Sequence, residues 1–319
     1  MKKIAIVILH FNGEKDTLRC LDSIEQLSCE AGSRFARQVI VVDNGSDEEF
    51  KVPAFAPSTP LRASAGKQNS IKEVKVIRNE RNLGFAGGNN VGIKYALENG
   101  ADYVLILNND TLVDKGLITE LLKVADSDEK IGIVAPKIYF AKGFEFHKDR
   151  YRESERGRII WYAGGIMDWK NIIGHHRGVD EVDKGQFEKV EETDYATGCC
   201  MLIKKEVFEM IGFLDKKYFL YYEDSDFSQR SKLVGYKIKF VPKAIVWHKN
   251  AGSAGGSGSS MQDYYITRNR LIFGIKYASL RAKLALIKET IKLFFSGRPW
   301  QKRGVFDFYL MKFNKGSYR

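Results

Sequence analysis

Apolar residues in this chain fall into short unbroken runs, separated by stretches where they recur every three or four positions. IAIVILHF (4–11) would be apolar on both faces of an extended segment, the pattern of a strand buried inside a parallel sheet. Over 14–27, Leu18, Leu21, Ile24 and Leu27 stand at helical spacing. VIVVDN (39–44) predicts a second strand, KVIRN (75–79) a short one, and 88–98 a helix. YVLILNND (103–110) is a further strong strand, followed by a helix over 114–125 and the strand GIVAPKIYF (132–140). Strand-helix alternation with right-handed crossovers predicts a doubly wound α/β sheet. Such sheets gather ligands at the carboxyl ends of their strands. His10 and Asn12, Asp43 and Asn44, and Asn108, Asn109 and Asp110 are therefore expected around one crevice.

Two stretches interrupt the alternation. Residues 47–71, with Pro53, Pro57 and Pro60, read as a long surface excursion, and 143–192 as a polar, loop-rich insertion. From Thr193 onward, YATGCCMLIKKEVFEMIG predicts a strand running into a helix. A helix over 224–234 and the strand KIKFVP (237–242) follow. AGSAGGSGSS (251–260), directly after His248, has the composition of a flexible, low-complexity segment.

Composition adds two constraints. A hydrophobic content of 44%, with 12% aromatic, supplies a buried core and excludes a disordered chain. The net charge of +11 is unevenly placed: residues 264–319 hold thirteen Lys and Arg against Glu289 and Asp307, an excess equal to that of the whole chain. The expected organisation is a formally neutral catalytic domain over 1–263 and a basic helical extension over 264–319. Within 271–295, Ile275, Ala278, Ala282, Ala285, Leu286 and Leu293 alternate with basic residues, predicting an amphipathic helix. It either packs on the domain with a solvated basic face or meets an anionic membrane surface. No nucleic-acid-binding motif accompanies the charge, so nucleic acid is not an expected partner. Cys20, Cys29, Cys199 and Cys200 form no CxxC pair and fit small buried residues in a reducing cytosol. MKKIAIVIL ends its apolar run at His10, and no segment reaches the ~20 apolar residues of a membrane span. A cytoplasmic protein is expected, attached peripherally to the inner face of the plasma membrane if the tail binds lipid.

Acidic residues beside aromatic ones carry the candidate chemistry. In YYEDSDF (221–227), adjacent carboxylates desolvate and repel one another, so one can reach the raised pKa of a general base. Asp226 is better suited to pairing with Arg230 at i+4, which leaves Asp224 for chemistry. Asp110, leaving an apolar strand, is either a Mg²⁺ or Mn²⁺ ligand or a turn cap. His248 is either a metal ligand or a half-buried histidine. Asp43 either accepts from a nucleotide or closes the DNGSD turn. NLGFAGGNN (82–90) lets a ligand approach the backbone and offers free amides at a helix start, or is an ordinary loop-to-helix turn. It is not GxGxxG and does not follow the first strand, which argues against a dinucleotide-binding dehydrogenase.

Seven segments together resemble glycosyltransferase family 2, inverting transferases with a GT-A fold: VILHFNGEKDTLRCLDSI, VIVVDNGSD, RNLGFAGGNNVGI, VLILNNDT, ATGCCMLIKKEVF, GFLDKKYFLYYEDSDFSQR and GYKIKFVPKAIVWH. The resemblance covers about residues 1–275, and WYAGGIMDW, HHRGVDEVDKGQF and YYITRNRLIF are similar to its rhamnosyltransferase-like branch. It implies a mixed, mostly parallel sheet with flanking helices and a nucleoside-diphosphate sugar donor, first dTDP-rhamnose, then a UDP-hexose or N-acetylhexosamine. The implied acceptor is a cell-surface polysaccharide or lipid-linked glycan. Asp43 matches the acidic residue contacting the donor nucleotide, Asp224 the catalytic base, and Asp110, the last residue of the Asp-x-Asp position, the ligand of a divalent metal. His248 matches a histidine that completes the metal shell in some members. Asn108 departs from the pattern by replacing the first Asp with an uncharged amide. His10, Asn12, Asn82, Gly84, Asn108 and Asn109 are assigned with Asp43 to the donor nucleotide, and Glu223 and Tyr222 to the acceptor side. The rival expectations are a nucleotidyltransferase and a non-catalytic nucleotide-sugar or glycan-binding module.

Overall fold

A computed structural model describes residues 2–27, 35–52, 74–250 and 258–318. Its strands are β1 (Lys2–His10), β2 (Phe35–Asp43), β3 (Val74–Arg78), β4 (Tyr103–Asn108), β5 (Thr111–Val113) and β6 (Ile131–Phe140). They continue with β7 (Ile160–Tyr162), β8 (Gly165–Asp168), β9 (Ile173–His176), β10 (Glu191–Glu192), β11 (Cys200–Lys204) and β12 (Lys237–His248). The helices are α1 (Glu14–Glu25), α2 (Gly84–Glu98), α3 (Leu117–Ala125), α4 (Lys205–Ile211) and α5 (Glu223–Leu233), then α6 (Ser260–Tyr277), α7 (Leu280–Ser296) and α8 (Pro299–Tyr309).

One ten-stranded sheet runs in the order β10-β12-β6-β11-β4-β1-β2-β3, with β5 on β12 and β7 on β6. The pairs β1–β2, β1–β4, β2–β3 and β6–β12 are parallel, while β11 lies antiparallel between β4 and β6. Consequently β1, β2, β3, β4, β6 and β12 all run one way, and the sheet is mixed but mostly parallel. Ile4–Ile8 and Val104–Leu107 are buried along their whole length, as their unbroken apolar runs require. Each such side chain contributes roughly 1.5–3 kcal/mol of burial.

Because β4, β6 and β12 point the same way, Asn108, Phe140 and His248 end on the same edge of the sheet as His10 and Asp43. The reversed strand β11 begins on that edge, so the segment just before it, 197–199, enters the crevice as well.

Several boundaries differ from the periodicity. Helix α2 starts at Gly84 rather than 88, because its glycines lie against the sheet: a Cβ on Gly88 would stand 2.4 Å from Leu9. The residues before α3 form β5, which pairs with β12. Strand β12 continues past Pro242 to His248 through an irregularity between Val241 and Ile245, since β6 and β5 supply its partners on either side. The 143–192 region is not simply loop but contributes β7, the β8–β9 hairpin and β10. The helix expected over 271–295 is two helices, broken at Ser279, whose hydroxyl caps α7. Within this stretch Ala278, Ala282 and Leu286 are buried, whereas Ile275 and Ala285 are exposed.

Residue 263, the expected end of the catalytic domain, lies inside α6, a helix with buried Asp263, Arg268 and Asn269. Most of the 47–71 excursion, most of the AGSAGGSGSS segment and Cys29 lie outside the described residues. Among the described residues, no helix is long and apolar enough to cross a membrane.

Candidate active site

The β5–β12 register sets the first cluster. Thr111 stands opposite His248, so Asp110, one residue earlier, meets the imidazole, with Oδ1 3.1 Å from Nε2. The Lys249 amide donates to the Asp110 carbonyl at 3.0 Å, locking strand end to turn. Burial pushes the Asp110 pKa up, but His248, the backbone and Lys249 outweigh it and hold the carboxyl below its ordinary value. The other imidazole nitrogen, Nδ1, is buried without a hydrogen-bond partner among the described residues, and the ring packs edge-to-face with Trp161, centroids 4.6 Å apart.

A carboxylate oxygen and an imidazole converging at one point fit a hard or borderline divalent cation such as Mg²⁺ or Mn²⁺. No group of three His, Cys, Asp or Glu suited to a metal occurs among the described residues. Two protein ligands leave the remaining positions for substrate oxygens and water, as such ions favour at diphosphate sites.

The second cluster is connected to the first through the backbone ahead of β11. The Asn108 amide donates to the Cys199 carbonyl at 2.9 Å, and the neighbouring Gly198 amide donates to Asp224 Oδ2 at 3.0 Å. Asp224 Oδ1 accepts from the Ser225 amide at 2.6 Å and from its hydroxyl at 3.2 Å. Burial raises the Asp224 pKa, and these donors offset it only in part. The residue as a whole is half-buried, and its carboxyl combines raised basicity with the absence of an ion pair among the described residues. Asp226, by contrast, is fully buried and ion-paired to Arg230 at 2.7 Å and Lys276 at 2.8 Å, which holds its carboxyl low despite burial. Asp226 thus makes the i+4 pair with Arg230 expected of it, whereas Asp224 has no ion pair among the described residues.

Asp224 follows a strained turn. Phe219, Tyr221 and Tyr222 all have left-handed φ, at 63°, 68° and 72°. Such conformations cost of order 1–3 kcal/mol each and persist only when neighbours over-determine them. Asn269 in α6 does so: its amide nitrogen donates to the carbonyls of Tyr218, Leu220 and Tyr221 at 2.8, 2.7 and 2.8 Å. Arg268, fully buried, donates to the carbonyls of Lys217 and Tyr218. From the other side, the Phe85 amide donates to the Phe219 carbonyl at 2.6 Å. Gly84, at φ 76°, is required here because a Cβ would stand 2.4 Å from the Phe219 ring. The amides at the start of α2, expected to be free for a ligand, are therefore taken by this turn in the case of Phe85 and Ala86.

The remaining donor-side residues line the same edge. The Thr17 hydroxyl meets His10 Nδ1 at 2.7 Å and accepts from the Asn109 amide at 2.9 Å, joining the ends of β1 and β4. His10 is buried against Phe50, and burial lowers its pKa against the pull of Asp43 and Glu14. Asn12, at φ 52°, exchanges hydrogen bonds with Asp47. Asn82 accepts from Asn44 and from the Gly84 amide, and Asn44 also accepts from Asn79 and the Leu83 amide, making it the hub of the glycine-rich turn. Asn108 and Asn109 are half-buried at the mouth.

Asp43 differs from the expectation of direct donor contact. It is fully buried, its oxygens accepting from the amides of Ser46 and Phe50 and from Arg78 at 2.6 Å, so it braces its own turn and presents no surface.

On the acceptor side, the Tyr222 hydroxyl donates to the Ile172 carbonyl at 2.8 Å, tying the turn to the β8–β9 hairpin. Glu223 is buried with Oε2 unpartnered among the described residues, and burial, reinforced by the charges of Asp224 and Asp226, places its pKa well above the ordinary range. Sequence reasoning brought Asn44 to the crevice without a role of its own and missed Gly198 and the Arg268–Asn269 pair. Only the last left a signal, as part of the polar run TRNR (267–270) inside the otherwise aromatic and aliphatic YYITRNRLIF.

Comparison with known proteins bears on the family and the fold. The family model for glycosyl transferase family 2 matches residues 5–212. The chain is 26% identical over 270 residues to the low-salt glycan biosynthesis hexosyltransferase Agl10 of Haloferax volcanii, covering 84% of this chain and 74% of that protein. It is 24% identical over 280 residues to the dTDP-rhamnosyl transferase RfbF of Shigella flexneri, covering 84% and 79%. It is 26% identical over 235 residues to the N-acetylglucosaminyl-diphospho-decaprenol L-rhamnosyltransferase of Mycobacterium tuberculosis, covering 70% and 69%. Among solved structures, GalNAc-T7 with UDP, GalNAc and Mn²⁺ superposes with a TM-score of 0.55 at 17% identity, over 94% of this chain and 58% of that one. S. aureus TarS 1-349 gives 0.53 at 15% identity, over 97% and 79%. The chain belongs to glycosyl transferase family 2 and is a glycosyltransferase of GT-A fold.

Proposed function

We propose that the protein transfers a sugar, first L-rhamnose from dTDP-rhamnose, to a hydroxyl of a cell-surface polysaccharide or lipid-linked glycan intermediate, with inversion. The observation carrying this reading is that one sheet edge holds two unlike carboxylates: Asp110, paired with an imidazole, and Asp224, kept basic among neutral donors. Asp224 takes the proton of the acceptor hydroxyl. The acceptor oxygen forms its bond to the anomeric carbon as the bond to the diphosphate breaks on the opposite face, and the nucleoside diphosphate departs with that electron pair. Asp110 and His248 would hold a Mg²⁺ or Mn²⁺ ion, which supplies charge neutralisation to the diphosphate.

His10, Asn12, Asn82, Gly84, Asn108 and Asn109 frame the nucleotide end, with Asp43 acting through the turn it braces. Tyr222 and Glu223 border the acceptor. The same reading makes the protein cytoplasmic, working at the inner membrane face when its acceptor is lipid-linked.

Rhamnose is favoured by the likeness to two named rhamnosyltransferases; a UDP-hexose or N-acetylhexosamine is the second reading, favoured by the hexosyltransferase relative. A panel of dTDP-, UDP- and GDP-sugars, assayed for metal-dependent release of nucleoside diphosphate with and without acceptor glycans, tests it. Turnover of dTDP-rhamnose above the others is expected. Turnover of a UDP-sugar alone would transfer the assignment to the second reading, and donor binding without turnover of any sugar would indicate a binding module.

A further inference from the structure

Helix α7 is amphipathic twice over. Its inner face, Ala282, Leu286 and Thr290, is buried, and Leu286 fills the space left by the missing side chain of Gly274 in α6. Its outer face carries Leu280, Leu284, Ile287, Ile291 and Phe294 in alternating steps of four and three, one continuous stripe along the helix, with Phe295 beside its end. These six side chains are between 42% and 75% exposed. A contiguous apolar stripe left in water marks a surface that something covers.

The charges around the stripe indicate what does so. On the helical wheel Lys283 borders one side, and Arg281, Lys288 and Lys292 the other. None of the four has an ion-pair partner among the described residues. The two carboxylates of 264–319 are both withdrawn from this face: Glu289 is held by Arg270 through two hydrogen bonds of 2.7 and 2.9 Å, and Asp307 is fully buried. A second copy docked here would set these cations against their own counterparts. A bilayer with anionic headgroups offers the complement, hydrocarbon for the stripe and negative charge for its rims.

We infer that the outer face of α7 is an in-plane docking surface for an anionic lipid bilayer, entering the headgroup–acyl boundary with Leu280, Leu284, Ile287, Ile291 and Phe294 and holding lipid phosphates with Arg281, Lys283, Lys288 and Lys292. The inference rests on the exposed stripe and its charged rims, not on the identity of the transferred sugar. Because α7 packs on α6, and α6 holds the turn that presents Asp224, the docked face lies one helix away from the catalytic turn.

The test is co-flotation of the full chain with phosphatidylcholine vesicles, with and without phosphatidylglycerol. Binding to the anionic vesicles only is expected, weakened by high salt. Ile287→Glu/Ile291→Glu should abolish it while circular dichroism and thermal unfolding stay unchanged. Lys283→Gln/Lys288→Gln/Lys292→Gln should reduce partitioning about a hundredfold, near fivefold for each lysine. Anionic vesicles left unbound by the unaltered chain would overturn the inference, as would equal binding by a folded stripe variant. So would concentration-dependent dimerisation in sedimentation velocity that the Ile→Glu variant removes, since that would make the stripe a self-association face. A stripe variant that fails to fold would be replaced by Leu284→Gln/Phe294→Gln, on either side of the two isoleucines in the same stripe, and judged by the same criteria.

Discussion

Asp110 and Asp224 are linked through the segment ahead of β11, by way of Asn108–Cys199 and Gly198, and are treated oppositely by their surroundings. Burial raises both, but Asp110 sits against His248 and Lys249 and is held low, whereas Asp224 meets only the neutral donors of Gly198 and Ser225 and stays high. A carboxylate that must remain charged to hold a cation needs cationic or metal partners. A carboxylate that must accept a proton needs burial without them. Two acids with their pKa values driven apart mark a division of labour.

The largest effect that would break this comparison is on transfer itself. Asp224→Asn keeps the shape and one acceptor oxygen but removes the proposed base, and transfer should fall about 10²–10⁴-fold with donor binding retained. Single-turnover transfer beside donor titration by calorimetry separates the two, and normal transfer would end the assignment of Asp224.

Asp110→Ala should show the reverse, losing metal-dependent donor binding, with His248→Ala weakening it by about 10–100-fold. Equal donor affinity with and without Mn²⁺ in the unaltered protein would remove the basis of that contrast. The pH profile sharpens it further. Because the Asp224 pKa is raised, transfer should increase with pH along a limb lying above the ordinary carboxylate range, whereas donor binding through Asp110 should persist to lower pH.

Asn269→Ala touches neither carboxylate directly but frees three carbonyls of the turn before Asp224. A fall in kcat with unchanged donor affinity is expected, with a stability loss of about 1–3 kcal/mol from the unmet buried groups. An unaltered kcat would make the asparagine purely structural.

The smallest effect concerns Glu223. Its folded pKa is raised, so it costs stability progressively as pH rises from its unfolded value toward the folded one. Glu223→Gln should therefore raise Tm, with a gain growing above about pH 4.3. A gain that shrank with rising pH would contradict the sign.

The tail offers a second contrast of the same kind. The α6 residues Arg268 and Asn269 face inward and bond the catalytic turn, whereas the α7 stripe is exposed. A boundary between domain and appendage after residue 263 follows the charge distribution, yet hydrogen bonding makes α6 part of the catalytic unit.

Hydrophobic periodicity by itself determined the alternation of β1 through β6 with α1, α2 and α3, β5 apart, and the polar residues that end β1, β2 and β4, because both are properties of consecutive positions. The acidic pair at 223–224 and the terminal His248 were equally legible, carboxylates and an imidazole being costly beside apolar runs unless used or paired. Only the tertiary structure decided that Asp110 meets His248, since this depends on β5 pairing with β12 across more than a hundred residues. It likewise decided that Asp43 turns inward, that the α2 amides are spent on Phe219, and that Asn269 secures a left-handed turn. Hydrogen bonds between distant segments leave no period in the sequence. Which apolar face of α7 lies against the protein was undecided for a related reason: both faces satisfy the helical period, and packing chose between them.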